Sequence, residues 1–216
     1  MKTVYFVRHG ESENNASDKY NMPDTPLSER GRKQAAQIAE RCSKLPVEII
    51  VSSPMKRAKD TAEAISERIG KKVEFSDFFV ERRLSTGVLG KARTDPEAKE
   101  AIHLITEKFP EPGFRYEDAE NFDDLKKRAL NALSYLEERP EKHIVAVSHG
   151  FFMWMIVAAA VSGPELSGET CRSLIRGFGP LANTGLSVLT FGEDPRRHAI
   201  TSPWQLRVWN DHAHLG

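Results

Sequence analysis

Residues 3–10 read TVYFVRHG, an apolar run that stops at an arginine, a histidine and a glycine. Aromatic and β-branched residues favour strands, so this run predicts a buried β-strand. The same pattern returns at residues 144–150, which read IVAVSHG. Two buried strands that each close in a polar residue followed by His-Gly predict a functional surface where those strands end.

The composition is that of a soluble globular protein. Of the 216 residues, 29% are charged and 39% are hydrophobic, and a chain of this length can bury one substantial core. We therefore expect a single domain over residues 1–216. The formal net charge is zero, which argues against a general nucleic-acid-binding function. Anionic ligands would have to be recognised by a local group of arginines.

The sequence predicts neither a metal centre nor a membrane segment. Its two cysteines, Cys42 and Cys171, lie far apart without metal-ligand spacing and are expected to be indifferent buried thiols. The longest apolar stretch, residues 151–161, is too short to span a bilayer and predicts a buried helix. Since the first residues do not resemble a signal peptide, we expect a cytoplasmic protein.

Strand-like and helix-like segments alternate along the chain. This alternation predicts an α/β fold, doubly wound, with a mostly parallel central sheet, helices on both faces and a helical insertion covering the active site. Ser28 is the predicted N-cap of one helix; Ser53, followed by Pro54 at the first helical position, is the N-cap of the next. Gly70 is the expected end of that second helix. The other predicted strands cover residues 47–51, 73–75, 186–191 and 206–209, the last after a polar turn, and residues 11–26 and 162–184 are predicted loops.

Four basic residues follow the carboxyl ends of predicted strands, and the topology would gather them in one crevice: Arg8, His9, Arg57 and His149. Two converging arginines form a bidentate anion site that suits phosphate. Nearby positive charge disfavours protonation of a histidine in such a site, so the neutral imidazole keeps a lone pair that can attack phosphorus. The leaving alkoxide would need a proton from a carboxylic acid at the rim.

Several motifs resemble those of the histidine phosphatase superfamily, also called phosphoglycerate-mutase-like. They include RHGES at residues 8–12 with Asn15, LSERG at 27–31, SSPMKRA at 52–58 and SHG at 148–150. Residues 119–121 read AEN where the family has Gly-Glu-Ser, and the tail at 210–215 is also similar. The resemblance spans nearly the whole chain, in order and with suitable spacing.

This resemblance implies a metal-independent phosphatase that needs no cofactor. His9 would be the nucleophile and would pass through a phosphohistidine. The phosphoryl oxygens would be held by Arg8, Arg57 and His149, with Asn15 and the Gly150 amide assisting.

The resemblance places the proton donor at Glu81, in the irregular segment after the third strand. Glu120, at a predicted helix start, is the alternative. Arg82 is a candidate for the substrate mouth, although a solvated basic rim explains it equally well. Residues 82–142 are expected to form the helical cover that determines specificity, whereas residues 151–155 are expected to belong to the core.

The motifs favour a phosphatase over a mutase. Phosphoglycerate mutases of this family usually carry Glu-Arg-His-Tyr-Gly and a later Trp-Arg-Arg. Here Glu81 is followed by RRLSTG, and Trp-Arg-Arg does not occur. We therefore expect hydrolysis of a small phosphomonoester. A mutase primed by a bisphosphate and a non-catalytic phospho-ligand-binding module remain alternatives, and a homodimer through an edge strand is compatible with the sequence.

Overall fold

The computed structural model describes residues 1–192 and 202–216. Its strands are β1 (Lys2–Arg8), β2 (Ile49–Ser52), β3 (Val73–Phe75), β4 (His143–Ser148), β5 (Leu186–Phe191) and β6 (Trp204–Asp211). Its α-helices are α1 (Glu13–Ala16), α2 (Glu29–Cys42), α3 (Lys56–Ile69), α4 (Pro96–Glu107), α5 (Phe122–Glu138), α6 (Gly150–Ser162) and α7 (Gly168–Phe178).

The described strands form one sheet in the order β3-β2-β4-β1-β5-β6. The first four in that order run parallel to their neighbours, and β5 and β6 add antiparallel pairs at one side. The predicted α/β fold with a mostly parallel sheet is therefore confirmed. The polar turn predicted before β6 lies largely outside the described residues.

Alternate residues of the central strands face two separate helical layers. On one face, Val7 and Val147 pack with apolar residues of α2 and α3. On the other, Phe6 and Ala146 pack with α5 and α6. Because side chains of a strand alternate between its two faces, both sides of β1 and β4 are apolar, which explains their unbroken hydrophobic runs.

Local sequence signals set several helix ends. The Ser28 side chain accepts a hydrogen bond from the Gly31 amide and caps α2, as predicted. Gly70 ends α3 in the left-handed conformation, with φ of 67°, which glycine adopts without strain. The prediction for the start of α3 was wrong, because its N-cap is Met55 rather than Ser53. Ser53 is instead buried and bonded to a histidine, as described below.

The segment predicted as a loop over residues 162–184 contains α7, so that prediction was also wrong. Ser167 caps this helix through the Thr170 amide. Its Cys171 side chain is buried, and Leu174 and Ile175 pack against the main core. Gly177, Gly179 and Pro180, which argued for a loop, lie at or just after the end of this helix, whose C-cap is Gly179, and Gly168 in its first turn lies directly against Pro110.

The predicted cover over residues 82–142 is divided into two parts. Helix α5 belongs to the doubly wound layers, since Leu125, Ala129 and Leu136 are fully buried in the main core. The remainder, residues 82–121, has its own small apolar cluster that includes Val88 and Ala98. This smaller part is the segment that reaches the crevice at the carboxyl ends of the strands.

Candidate active site

Three neighbouring strands bring the basic residues together. In the parallel pairing of β1 and β4, Arg8 lies beside Ser148, and the His9 amide donates to the Ser148 carbonyl at 3.0 Å. On the other side of β4, the Ser53 amide donates to the Val147 carbonyl at 3.0 Å. Strands β1, β2 and β4 therefore end at the same edge of the sheet. The RHGES, SSPMKRA and SHG motifs lie at these three strand ends.

His9 is held in a single orientation. Its side chain is buried, and Nδ1 lies 2.6 Å from the Gly10 carbonyl oxygen. A carbonyl can only accept, so Nδ1 carries the proton and Nε2 keeps its lone pair. Arg57 Nε donates to that Nε2 at 3.2 Å. Burial, followed by the charges of Arg57 and Arg8, holds the pKa of His9 well below its usual range, which keeps the imidazole neutral.

The loop that carries His9 is fixed from two sides. The Gly10 amide donates to Thr61 Oγ1 at 3.1 Å, and Asn183 Nδ2 donates to the His9 carbonyl at 3.0 Å. Gly10 also lies so close to Gly31 that a Cβ atom on Gly10 would be 2.6 Å from the Gly31 carbonyl oxygen. Glycine is therefore required directly after the histidine.

The two arginines are buried cations beside His9. Burial lowers the pKa of Arg57 to about 10, while the nearby Glu81 carboxylate opposes the shift, so Arg57 stays charged at neutral pH. Burial lowers the pKa of Arg8 as well, again opposed by Glu81. Arg8 Nη1 donates to the Leu181 carbonyl, whereas its buried Nε has no hydrogen-bond partner in the described part of the chain.

His149 lies against His9, with ring centroids 5.0 Å apart. Its Nε2 is hydrogen-bonded to Ser53 Oγ at 2.8 Å, and its Nδ1 is buried without a partner among the described residues. Burial, followed by the charge of Arg57, holds the pKa of His149 well below its usual range. The Ser53–His149 bond thus joins the SSPMKRA motif after β2 to the SHG motif after β4.

The carboxyl group of Glu81 lies against the N-terminus of α6. Its Oε1 accepts from the Phe152 amide at 3.0 Å and from the Arg82 amide at 2.9 Å, and its Oε2 accepts from the Phe151 amide at 3.3 Å. A carboxylate suits a helix N-terminus, where amides are unpaired and the dipole is positive. These bonds aim the carboxyl group of Glu81 at the same cavity that Arg8 and Arg57 line.

Glu120 is occupied by another partner. Arg128 donates two hydrogen bonds to the Glu120 carboxylate, from Nε to Oε1 at 3.0 Å and from Nη2 to Oε2 at 2.8 Å. The same guanidinium donates to the Val80 carbonyl at 2.7 Å and so also supports the segment that carries Glu81. Both carboxylates line the cavity, but Glu120 is paired with a guanidinium, whereas the side-chain bonds of Glu81 among the described residues are to backbone amides.

A cavity of about 800 Å³ opens above these residues. It is lined by Arg8, Arg57, Glu81, Arg82 and Gly150 of the predicted site and by the alternative acid Glu120, whereas the buried His9 and His149 are not part of the lining.

Asn15 is not among the lining residues. Its side chain accepts from the Ser12 amide at 3.4 Å in the capping box of α1, whereas Asn21 lines the cavity. The side-chain hydrogen bond of Asn15 is thus made within this capping box, and not to His9, Arg57 or His149.

Sequence reasoning missed four residues of the site. Ser53 and Asn183 hold His149 and the His9 loop, and the sequence carries no signal for such long-range partners. Phe151 and Trp154 line the cavity rather than belonging to the core alone. Their position directly after the second His-Gly was the available signal, since the start of that helix had to face the crevice.

Residues 1–192 and 202–216 hold neither a metal-ligand cluster nor a helix able to cross a membrane. No three His, Cys, Asp or Glu side chains there are grouped so as to hold a metal ion. None of the helices in these ranges is long and apolar enough to cross a membrane.

Comparisons with known proteins agree with the geometry. A model of the histidine phosphatase superfamily (branch 1) matches residues 4–201. Probable phosphoglycerate mutases of Salmonella arizonae and Salmonella typhi are 30% and 31% identical, over the whole of this chain and 95% of theirs.

Solved structures of two phosphatases are similar over nearly the full length. A mycobacterial glucosyl-3-phosphoglycerate phosphatase, complexed with VO3, is 26% identical with a TM-score of 0.79, covering 98% of this chain and 100% of that chain. A phosphoserine phosphatase of Entamoeba histolytica, in complex with phosphoserine, is 26% identical with a TM-score of 0.76 and covers both chains fully.

Proposed function

The chain belongs to the histidine phosphatase superfamily, and from this premise we propose that it hydrolyses a small phosphomonoester through a phosphohistidine on His9. The observation that carries the proposal is the state of His9. The imidazole is buried and neutral, its Nδ1 proton is held by the Gly10 carbonyl, and its Nε2 lone pair faces Arg57. A nucleophilic nitrogen beside a guanidinium that binds phosphate is the arrangement that phosphoryl transfer requires.

In the first half-reaction the Arg57 Nε hydrogen bond moves from His9 Nε2 to a phosphoryl oxygen of the substrate, and the freed Nε2 lone pair attacks phosphorus. A nitrogen–phosphorus bond forms and the ester phosphorus–oxygen bond breaks, while Arg8, Arg57 and His149 stabilise charge on the phosphoryl oxygens. The leaving alkoxide takes its proton from the carboxylic acid form of Glu81, and the step leaves Glu81 as the carboxylate that the second half-reaction needs. The helix N-terminus at Gly150 adds a positive dipole end on the same side.

In the second half-reaction water attacks the phosphohistidine. The Glu81 carboxylate accepts a proton from that water as its oxygen bonds to phosphorus. The nitrogen–phosphorus bond breaks, inorganic phosphate leaves, and His9 returns to its neutral state. The arginines supply the positive charge throughout, so these steps call on no metal ion.

Release of inorganic phosphate by the wild type and by a His9 variant tests the proposed hydrolysis directly. We expect the purified protein to release phosphate from a broad panel of phosphomonoesters, and His9→Ala to lower kcat at least 10³-fold, because it removes the attacking nitrogen. Phosphate release at pH 5.5 and 7.5, with and without EDTA, is the measurement. His103→Ala, an exposed histidine variant on α4, is the matched control and keeps full activity.

Quenching a reaction with a ³²P-labelled ester in alkaline detergent should also trap a labelled phosphoprotein, whose label is stable in base and is lost in acid. Absence of phosphate release across the panel at both pH values would contradict the proposal. Phosphate release that EDTA abolishes would contradict its metal-free chemistry. Ligand binding without turnover or a trapped intermediate would favour a phospho-ligand-binding module instead.

A mutase is the second candidate, and the relatives described as probable phosphoglycerate mutases favour it. A mutase returns the phosphoryl group from His9 to a second hydroxyl of the substrate rather than to water. Incubation with 3-phosphoglycerate, with and without a catalytic amount of 2,3-bisphosphoglycerate, separates the two functions. Primer-dependent formation of 2-phosphoglycerate that exceeds phosphate release would favour the mutase.

A further inference from the structure

The cavity is far larger than a phosphoryl group requires. Its volume of about 800 Å³ falls in the range of roughly 300–1,000 Å³ typical of pockets that enclose a whole drug-sized ligand. Arg8, Arg57 and Glu81 account for the part next to His9. A three-carbon substrate such as phosphoglycerate would leave most of the remaining volume empty.

Most of the remaining lining surface is apolar, although six further charged residues also contribute to it: Asp77, Arg82, Arg83, Arg93, Glu120 and Arg128. The apolar side chains come from α6 and from two loops at the rim, residues 20–23 and 80–93. They include Tyr20, Met22, Leu84, Leu89, Phe151 and Trp154. The two rim loops are joined by backbone hydrogen bonds, among them Tyr20 to Lys91 at 3.0 Å and Gly90 to Tyr20 at 3.1 Å. These hydrogen bonds fix the two rim loops relative to each other, so the apolar part of the lining has a defined shape.

Phe151 and Trp154 form a rigid aromatic wall on one side of the cavity. Their ring centroids are 5.9 Å apart at 77°, and Phe109 packs edge-on against Phe151 from behind at 5.5 Å. The Arg82 guanidinium lies 3.7 Å from the Phe151 ring centroid. Such edge-to-face and cation–π contacts fix the orientation of the rings.

The chemistry of the site dictates where the alcohol portion of a substrate begins. Its ester oxygen must meet Glu81, which protonates it on departure. Glu81 is bonded to the Phe151 amide at 3.3 Å, and Trp154 follows Phe151 by one helical turn on the same face. The alcohol portion therefore leaves the acid directly along the aromatic wall.

We infer that the alcohol portion of the substrate is a bulky apolar group, of at least the size of a hexyl or phenylbutyl chain, that packs on Phe151 and Trp154. This inference rests on the proposed function, because the phosphoryl group of such a substrate would occupy the His9 site. It distinguishes the substrate from phosphoglycerate, which has no apolar surface to place against the wall.

Binding of non-hydrolysable alkylphosphonates tests the inference without requiring turnover. We expect the Kd to fall at least tenfold from ethylphosphonate to hexylphosphonate, and further for 4-phenylbutylphosphonate. Full burial of a methylene favours binding roughly three- to fourfold, so partial burial of four methylenes gives this ratio. Isothermal titration calorimetry is the measurement. Equal affinity for the ethyl and hexyl ligands would overturn the inference.

Variants assign the preference to the wall. Trp154→Ala should reduce the ratio of the Kd for ethylphosphonate to the Kd for hexylphosphonate from tenfold to less than threefold. Trp209→Ala, on β6 and outside the cavity lining, should leave this ratio unchanged. Leu89→Trp, which places a larger side chain at another position of the cavity lining, should also reduce the ratio of the two Kd values and serves if Trp154→Ala does not fold. A ratio that persists in every folded cavity variant would overturn the assignment.

Kinetics with alkyl phosphates separate failure of this inference from failure of the proposed function. Ethyl, hexyl and 4-phenylbutyl phosphate have leaving groups of similar basicity, so their kcat/KM values differ through contacts with the wall. Turnover without a rise along the series, or with 3-phosphoglycerate preferred over hexyl phosphate, would overturn the inference alone. Tenfold tighter phosphonate binding with no turnover of any ester would overturn the proposed function alone.

Discussion

At the scale of single residues, Arg57 is the group that orders the site. Each of its nitrogen atoms donates a hydrogen bond: Nε to His9 at 3.2 Å, Nη1 to the Met22 carbonyl at 3.0 Å and Nη2 to Met55 Sδ at 3.5 Å. The residue thus holds the nucleophile and one rim loop at once. Its planar fork is what makes this possible, since the donors point in fixed and different directions.

Arg57→Lys keeps the positive charge but replaces this fork with a single ammonium group. We expect kcat/KM to fall by about 10²–10³-fold, the loss typical of removing one preorganised donor to a developing oxyanion. Steady-state kinetics with a phosphomonoester is the measurement. Arg68→Lys, an exposed change on the same helix, is the control and keeps its activity. A variant that retains more than a tenth of kcat/KM would show that Arg57 acts only as a charge.

The basic residues of the site could be predicted from sequence because each lies within a few residues of a strand end. Arg8, His9 and His149 need only the parallel pairing of β1 and β4 to meet. Ser53 could not be assigned its role, since its partner His149 is 96 residues away and a serine before proline equally indicates a helix cap. Hydropathy could not separate Phe151 and Trp154 from core residues, because a cavity wall is as apolar as a core.

At the scale of elements, the approach of α2 to the loop after β1 shapes the His9 loop. A Cβ atom on Gly31, in the first turn of α2, would lie 1.9 Å from the Glu11 carbonyl oxygen. That neighbour is backbone, and it cannot rotate away as a side-chain end can. The loop that presents His9 therefore rests directly on a helix that requires glycine.

Gly31→Ala should consequently push α2 and the His9 loop apart. We expect the free energy of unfolding to fall by about 1–3 kcal/mol, as for other overpacked sites, and kcat to fall with it because His9 is displaced. Urea unfolding and phosphate release are the measurements.

Gly177→Ala is the matched control for Gly31→Ala. Gly177 lies in α7, and among the described residues no atom other than those of its chain neighbours and of its own helix backbone lies within 4 Å of the position that a Cβ atom would take there. Alanine favours a helix over glycine, so this variant should be neutral or more stable by up to about 1 kcal/mol. Equal stability of the two variants would contradict the role given to the close approach at Gly31.

Helix α7 shows how an element can be missed although its signal is present. Cys171, Leu174, Ile175 and Phe178 follow the spacing i, i+3, i+4, i+7, and Ser167 is a standard N-cap. Gly177, Gly179 and Pro180 favoured a loop over that pattern, because glycine and proline disfavour helices locally. Tertiary packing reverses this preference, since only glycine at position 168 allows the backbone contact with Pro110.

At the scale of the whole molecule, the fold stabilises the neutral forms of two histidines. His9 and His149 are buried at the junction of three strands, and burial followed by the charge of Arg57 lowers the pKa of each. In the unfolded chain the same side chains titrate near a pKa of about 6.5. Below that pH the unfolded state therefore binds more protons than the folded state.

The sign of the resulting pH dependence follows from this difference in protons. The contribution of the two histidines to stability is fully present above about pH 6.5 and is lost progressively as the pH falls towards their lowered folded-state pKa values. We expect the free energy of unfolding to decrease between pH 7.5 and 5.5 by up to about 1.4 kcal/mol for each histidine. Urea unfolding at the two pH values measures the decrease.

A double variant isolates these two groups from the carboxylates that also titrate in acid. His9→Gln with His149→Gln removes both imidazoles, so its free energy of unfolding should depend less on pH than that of the wild type. His103→Gln, a change at an exposed histidine, should keep the wild-type dependence. An equal pH dependence in the double variant and the wild type would mean that the buried histidines are not held neutral, and would remove the physical basis for His9 as a nucleophile in acid.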